Sequence, residues 1–432
     1  MRGGRVGGVR RAGTVLAVTL LTAGLNATGG VTPAFAAGSG PVFNVPGPNS
    51  SQAEKEAIRT QFLNVIQNAV PGSTLKMAMY HLWDPTVAQA MADAHDRGVN
   101  VQVIMDSTET SSEGDGTSYP LLAAALGTDT SAASFATLCG TNHACNSTVK
   151  PSINHNKFLI YDVNNGASST VIQSSSNLTP SNYSKFWNDA MVVQDDQGVY
   201  QAYTTYFAKL KAKNAADWAY LTPTPHSPYT YYFFPRPKDD PRPGDTIVNV
   251  LDNVGCTYTE GGTTKHSTVR VGMYKITRQA VADKLKALKN AGCNVDIVYT
   301  EMDSADSTGS AGTWEALHYS GGPAVRCVNF DDDNDENNPD ISKPTQRQII
   351  HSKFLLIEGK YGDDTGRKVM WTGSHNYSGP ALTNNDEALL KVDDPAIYAS
   401  YVARYNAVRG AASPGTADNN PACKGVTEAP DA

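Results

Sequence analysis

The stretch HNKFLIYD, His155–Asp162, recurs near the other end of the chain as HSKFLLIE, His351–Glu358. Each copy is followed by an asparagine in a serine-rich strip, Asn177 in SSSN and Asn376 in GSHN. One His-x-Lys alone says little, since its bland reading is a satisfied core histidine beside a surface lysine. Two copies with matched asparagines point instead to a composite site for a phosphodiester. That substrate is an anion that repels nucleophiles, so its site must supply cations and amide donors around an uncharged imidazole. Two His, two Lys and two Asn make up that set.

The repetition extends beyond the motif. STLKMAMY (Ser73–Tyr80) matches STVRVGMY (Ser267–Tyr274), and GVNVQV (Gly98–Val103) matches GCNVDI (Gly292–Ile297), both 194 residues apart. The motif histidines are 196 apart, the asparagines 199, and the carboxylates Asp189 and Glu387 198. A shift this constant means that one structural unit occurs twice, at a period far too long for a solenoid.

Within each unit the periodicities alternate. Ser51-Gln52-Ala53-Glu54 is a capping box, and Ile58, Phe62, Val65 and Ile66 repeat at helical spacing. A strand over Leu75–His81 follows, then a helix opened by Asp84-Pro85 and ended at Gly98, then a strand over Val101–Asp106. The second half predicts a strand over Thr268–Tyr274, a helix over Arg278–Asn290 and a strand over Asn294–Tyr299. Each His-x-Lys opens a strand, Lys157–Asp162 and Lys353–Glu358. The fold class is therefore α/β, with sheets covered by helices. Between the halves, Leu221–Asp245 carries seven prolines and reads as an extended linker. Its aromatic run Tyr229, Tyr231, Tyr232, Phe233 and Phe234 suits packing across the lobe interface better than a lip for an acyl chain.

At 432 residues, 40% hydrophobic and 18% charged, the chain has a globular composition. Arg2, Arg5, Arg10 and Arg11 precede an apolar run from Gly13 to Leu25 and then Ala34-Phe35-Ala36. Residues 1–36 thus read as a secretory signal peptide, and no later apolar run reaches the roughly 20 residues that span a bilayer. A secreted, soluble protein is expected. Without the four signal arginines, 31 basic residues face 42 acidic ones. That balance is a poor match for nucleic acid. Six cysteines in an exported chain suggest disulfides rather than metal ligands. Cys139 with Cys145 is expected; among Cys256, Cys293, Cys327 and Cys423, the pair Cys293–Cys327 is favoured. Asp331–Asp340 carries six acidic residues but lacks the glycine and glutamate of an EF-hand, so it reads as a solvated loop rather than a calcium site.

The doubled His-x-Lys-x4-Asp pattern with its trailing Asn resembles the phospholipase D superfamily, most closely the secreted bacterial phospholipases D. The resemblance covers both halves, 37–220 and 246–410, and leaves 411–432 as a loose tail. It implies two homologous α-β-α sandwich lobes related by pseudo-twofold symmetry, with the active site at their interface. Carried over position by position, His155, Lys157, Asp162 and Asn177 match one motif and His351, Lys353 and Asn376 the other. Glu358 departs from the usual Asp at a structural position. Asp189 and Glu387 match carboxylates that orient the histidines, Ser175 and Ser374 offer extra hydroxyl donors, and Tyr80 and Tyr274 line the substrate. The implied chemistry needs no metal or cofactor: one imidazole, His155 by the family's habit, forms a phosphohistidine while His351 serves as acid and base. A phospholipid met transiently at a membrane or micelle surface is the implied substrate of a monomeric enzyme. Two other functions compete with it: a nuclease or other phosphodiesterase of the same superfamily, and a silent binding or toxin component on the same fold. A nuclease needs a basic, stacking-capable groove, and no Lys/Arg run appears beyond residue 36. A binding protein does not need two paired imidazoles.

Overall fold

Two mixed sheets repeat one topology. The first runs, edge to edge, Gly40–Phe43, Asp189–Gln194, Ser168–Ser174, Lys157–Val163, Thr74–Met79, Asn100–Met105 and Phe135–Leu138. The second runs Tyr229–Phe234, Glu387–Val392, Asp364–Gly373, Lys353–Tyr361, Thr268–Ile276, Asn294–Met302 and Ala324–Cys327. In both, the last three strands are parallel and the remaining pairs antiparallel. Parallel neighbours need a crossover, which the intervening helices Pro85–Asp96 and Gln279–Asn290 supply. The computed structural model describes residues 1, 3–4, 38–47, 49–110, 114–166, 168–218, 227–237, 244–303, 312–331 and 347–412. The signal segment (bar residues 1, 3 and 4), the acidic run beyond Asp331 and residues 413–432 therefore lie outside the described residues.

Local chemistry sets the element ends. Ser51 and Glu54 close their capping box. Asp84 accepts the amides of Thr86 and Val87 ahead of Pro85, and Gly98 takes φ +90° where the helix returns to strand. Helices Gln197–Ala212 and Pro395–Ala411 share one core with both sheets. Tyr200, Tyr203 and Phe207 on one helix, and Tyr398, Tyr401 and Tyr405 on the other, have matching i, i+3, i+7 spacing and meet Phe158 and Phe354.

Two expectations need correction. Part of the expected linker, Tyr229–Phe234, is a strand: it pairs antiparallel with Glu387–Val392 and occupies the edge that Gly40–Phe43 holds in the first sheet. Pro228 and Pro235 bracket it, as suits an edge strand. Phe233 and Phe234 are fully buried, and Phe233 stacks on Tyr206 at 4.2 Å. Cys139–Cys145 is bonded, but Cys293 pairs with Cys256 rather than Cys327. Cys327 aligns with Tyr299 across the parallel pair, which puts Cys293 six positions away, roughly 20 Å. No helix among the described residues is long and apolar enough to cross a membrane.

Candidate active site

The motifs meet at the carboxyl ends of the parallel strands, the edge where α/β sheets hold ligands. Lys157 pairs with Met79 and Lys353 with Met273, so each motif enters its sheet beside that end. Just beyond, Tyr80 lies 5.3 Å from the His155 ring and 5.1 Å from Lys157 Nζ. Tyr274 repeats this at 5.0 Å from His351 and 5.3 Å from Lys353 Nζ.

Each motif is pinned to the opposite lobe. His155 N–H donates to Asp386 O (2.9 Å), and Asp386 N–H donates back to Ile153 O (3.0 Å). His351 N–H and Ser352 N–H donate to Trp187 O (3.0 and 2.9 Å), while Ile350 pairs in parallel with Trp187. The imidazoles follow suit. His155 Nδ1 meets both carboxylate oxygens of Glu387 at 2.8 and 2.9 Å. His351 Nδ1 meets Asn188 Oδ1 at 2.9 Å. Lys157 Nζ donates to His155 O (2.9 Å), and Lys353 Nζ donates to His351 O (2.6 Å) and His351 Nε2 (3.1 Å). Asn177 and Asn376 follow the strands next to each motif.

His155, Lys157, Asn177, His351, Lys353 and Asn376 are all at most 5% exposed. The site is enclosed rather than open, so charges inside it interact far more strongly than in water.

Three expected side chains have other work. Asp189 does not hold His351; its carboxylate receives the hydroxyls of Thr372 and Tyr401. Side chains alternate along a strand, and Asn188, one residue earlier, faces the histidine instead. Ser175 donates to Asn188 Oδ1 (2.9 Å) and Ser374 donates to Glu387, so both hydroxyls brace histidine partners rather than point at substrate. Asp162 and Glu358 lie at matching places. Asp162 binds Lys76 (3.1 Å) and Tyr200 (2.8 Å); Glu358 contacts Arg270 (3.6 Å) and Tyr398 (3.4 Å). An acid of either length serves there. Among the described residues the metal-type cluster Cys139, Cys145 and Asp386 has its sulfurs in a disulfide, which removes the thiolates a metal would need.

Sequence reading missed several residues. Asn188 was legible: the 199-residue shift that carries Asn177 to Asn376 carries Asn188 to Glu387, whereas matching acid to acid used 198. Arg404 is buried and donates to Asn188 O (2.8 Å); burial pushes its guanidinium down to about 10, still charged at neutral pH. Asp386 accepts from the amides of Cys145 (2.6 Å) and Asn146 (3.1 Å), and burial holds its carboxyl well above the usual range. Glu109 lies 3.6 Å from His81 Nδ1, and burial raises it to about 9. His375 stacks on Phe234 at 4.1 Å; burial, then the Arg278 charge, keeps it neutral.

The family described as cardiolipin synthase, PLD-like domain, matches residues 62–211 and again 263–409. This chain belongs to that family. Each matched segment holds one His-x-Lys copy and its asparagine. A search of curated proteins finds no match. Among solved structures, the chain is similar to phosphatidylserine synthase from Haemophilus influenzae Rd KW20, with TM-score 0.52 and 12% identity over 87% of this chain and 89% of that one. It is also similar to polyphosphate kinase from Porphyromonas gingivalis, with TM-score 0.50 and 11% identity over 82% of this chain. It spans 48% of that kinase, about half its length. At such identities the likeness shows the fold alone.

Proposed function

We propose that this protein is a secreted phosphodiesterase of the phospholipase D type, cleaving the distal phosphodiester of a phospholipid such as phosphatidylcholine to phosphatidate and head-group alcohol. The observation that carries the reading is the crossed pair of histidines, each with Nδ1 engaged by the other lobe and each beside its own lysine. A fixed Nδ1 leaves Nε2 for chemistry. One imidazole bonds to phosphorus while the other gives its proton to the departing alkoxide. Water then loses a proton to the second imidazole, and its oxygen displaces the histidine from phosphorus. An alcohol in place of water gives phosphatidyl transfer by the same step. Lys157, Lys353, Asn177 and Asn376 neutralise and hold the non-bridging oxygens.

The family's own description names a phospholipid synthase, which favours a phosphatidyl group as the cargo. The excess of 42 acidic over 35 basic residues disfavours a nucleic-acid backbone. Choline release from phosphatidylcholine vesicles, run beside plasmid cleavage, tests the assignment. Lipid turnover well above DNA turnover is expected, and the opposite preference would overturn the lipid reading. Edman sequencing of protein from culture medium tests export; a start at Ala37 is expected.

A further inference from the structure

The two asparagines that trail the motifs are held by different devices. The lobes match closely around them. Leu178 bridges Leu82 in parallel as Tyr377 bridges Ile276, and the short helices Pro180–Ser184 and Gly379–Thr383 follow at the same 199-residue shift. In the first lobe Asn182, fully buried in its helix, accepts the Asn177 N–H on Oδ1 at 3.2 Å and donates from Nδ2 to Thr179 Oγ1 at 2.9 Å. The same shift puts the buried Ala381 in its place, and a methyl group makes no hydrogen bond. Among the described residues Asn376 Oδ1 is buried without a hydrogen-bond partner, so the chain around it sets where that amide stands.

Arg278 fills that gap. It caps the helix Gln279–Asn290 just after the strand Thr268–Ile276, the position that Asp84 holds in the first lobe. Each pairs at 2.6 Å with an opposite charge on an earlier helix: Asp84 with Arg59 in Ala57–Gln67, and Arg278 with Asp245 at the cap of Thr246–Asp252. The polarity is reversed, so the second lobe alone places the cation of this pair beside its asparagine loop. Arg278 Nη1 donates to His375 Nε2 at 3.2 Å and to Ser378 O at 2.8 Å, on the two sides of Asn376. A guanidinium only donates, so His375 Nε2 must accept. The Thr277 and Arg278 amides both donate to Tyr377 O at 2.9 Å. A buried guanidinium is costly to desolvate unless its neighbours answer it, and here a carboxylate, a carbonyl and an imidazole do.

Building on the phosphodiesterase reading above, we infer that Arg278 is the positioning residue for Asn376, doing in the second lobe what Asn182 does for Asn177 in the first. The guanidinium ties loop 375–378 to Asp245, and through it to the helix Thr246–Asp252. Asn376 then presents its amide to a non-bridging phosphate oxygen from a loop clamped on both of its sides. Arg278 acts through that amide and not on the substrate.

The full-length protein and its variants are assayed with p-nitrophenyl phosphocholine, whose good leaving group keeps low rates measurable, with calorimetry on the same preparations. Arg278→Lys keeps the charge and the Asp245 pair, but one nitrogen cannot reach Asp245, Ser378 O and His375 together. It is expected to lower kcat about 10- to 100-fold with KM within about threefold, since a displaced amide costs the transition state more than the ground state. In an Asn376→Ala background the same change is expected to cost less than about threefold, because the group it positions is gone. The full loss repeated in that background, or an unchanged kcat in a folded Arg278→Lys protein, overturns the inference and leaves the phosphodiesterase reading standing. His375→Leu keeps the packing on Phe234 and the Arg278–Asp245 pair, and serves for the same cycle should Arg278→Lys not fold. Its loss of kcat is expected only while Asn376 is present, and an equal loss without Asn376 overturns the inference. Failure of the unaltered protein to turn over any phosphodiester removes both readings.

Discussion

Replacing Glu387 with Gln tests the crossed arrangement at its strongest point. The carboxylate meets His155 Nδ1 with both oxygens at 2.8 and 2.9 Å, and neither residue exceeds 1% exposure. Hydrogen bonds to a charged group contribute roughly 1.5–3 kcal/mol net, and enclosure pushes this toward the upper end. Gln keeps the shape and can still accept from Ser374 and from Nδ1–H, but it does not balance an imidazolium. At 1.36 kcal/mol per tenfold, the loss in kcat/KM is roughly 10- to 160-fold. Because Gln leaves none of these hydrogen-bonding groups unsatisfied, the thermal midpoint is expected to stay within a few degrees. The assay is choline release from vesicles, with calorimetry on the same preparation. A loss below threefold in a fully folded variant refutes the idea that the second lobe's carboxylate supports the first lobe's histidine.

Two further predictions concern the surroundings. Glu109, raised by burial to about 9 from 4.5 and facing His81, Asp106 and Asp115, holds its proton in the folded state over a range where the unfolded chain has lost it. Its stabilising contribution is complete below about 4.5 and fades as pH rises toward 9, so the stability advantage of Glu109→Gln over the unaltered protein should widen with pH. The widening is at most about 1.4 kcal/mol per pH unit, and denaturant melts at pH 5 and 8 that show no difference would exclude it. Replacing Cys139 and Cys145 together with Ser opens a loop of six-residue separation whose amides hold Asp386, the neighbour of Glu387. A loss of about 2 kcal/mol in stability is expected from chain entropy. A fall in kcat larger than the fall in affinity should accompany it; unchanged kcat would show that the loop does not support His155.

Much of this was readable because local and repeated signals are strong. The duplicated motif, the Ser51 capping box and the Asp84-Pro85 helix start each concern residues a few positions apart, and each matches an observed element boundary. What escaped depends on distant partners. Tyr229–Phe234 becomes a strand because Glu387–Val392, more than a hundred residues later, offers a free edge, and nothing within its proline-flanked neighbourhood announces that. Cys256 meets Cys293 because a strand hairpin and a helix return side by side; the expectation that Cys293 and Cys327 open neighbouring strands favours another pair. The Asn188 error had a different origin. Matching by chemistry pairs acid with acid, whereas the shift between the flanking asparagines places an amide opposite Glu387.

The exchange of partners between lobes also constrains how a substrate arrives. Separating the lobes as rigid bodies would break the His155–Glu387 and His351–Asn188 contacts, the backbone bonds to Asp386 and Trp187, and the amide grip on the Asp386 carboxylate together. It would also expose the aromatic core that Tyr203, Phe233, Phe354 and Tyr401 form between the sheets. Each buried polar group left without its partner costs about 1–3 kcal/mol, and each large apolar side chain exposed adds a similar amount. A hinge opening that undoes several of both exceeds the stability of an ordinary domain. The two lobes therefore stay joined, with the histidines already braced when the phosphodiester reaches them. Preorganisation of that kind lets Lys157 and Lys353 act on the substrate's charge without rearranging during the reaction.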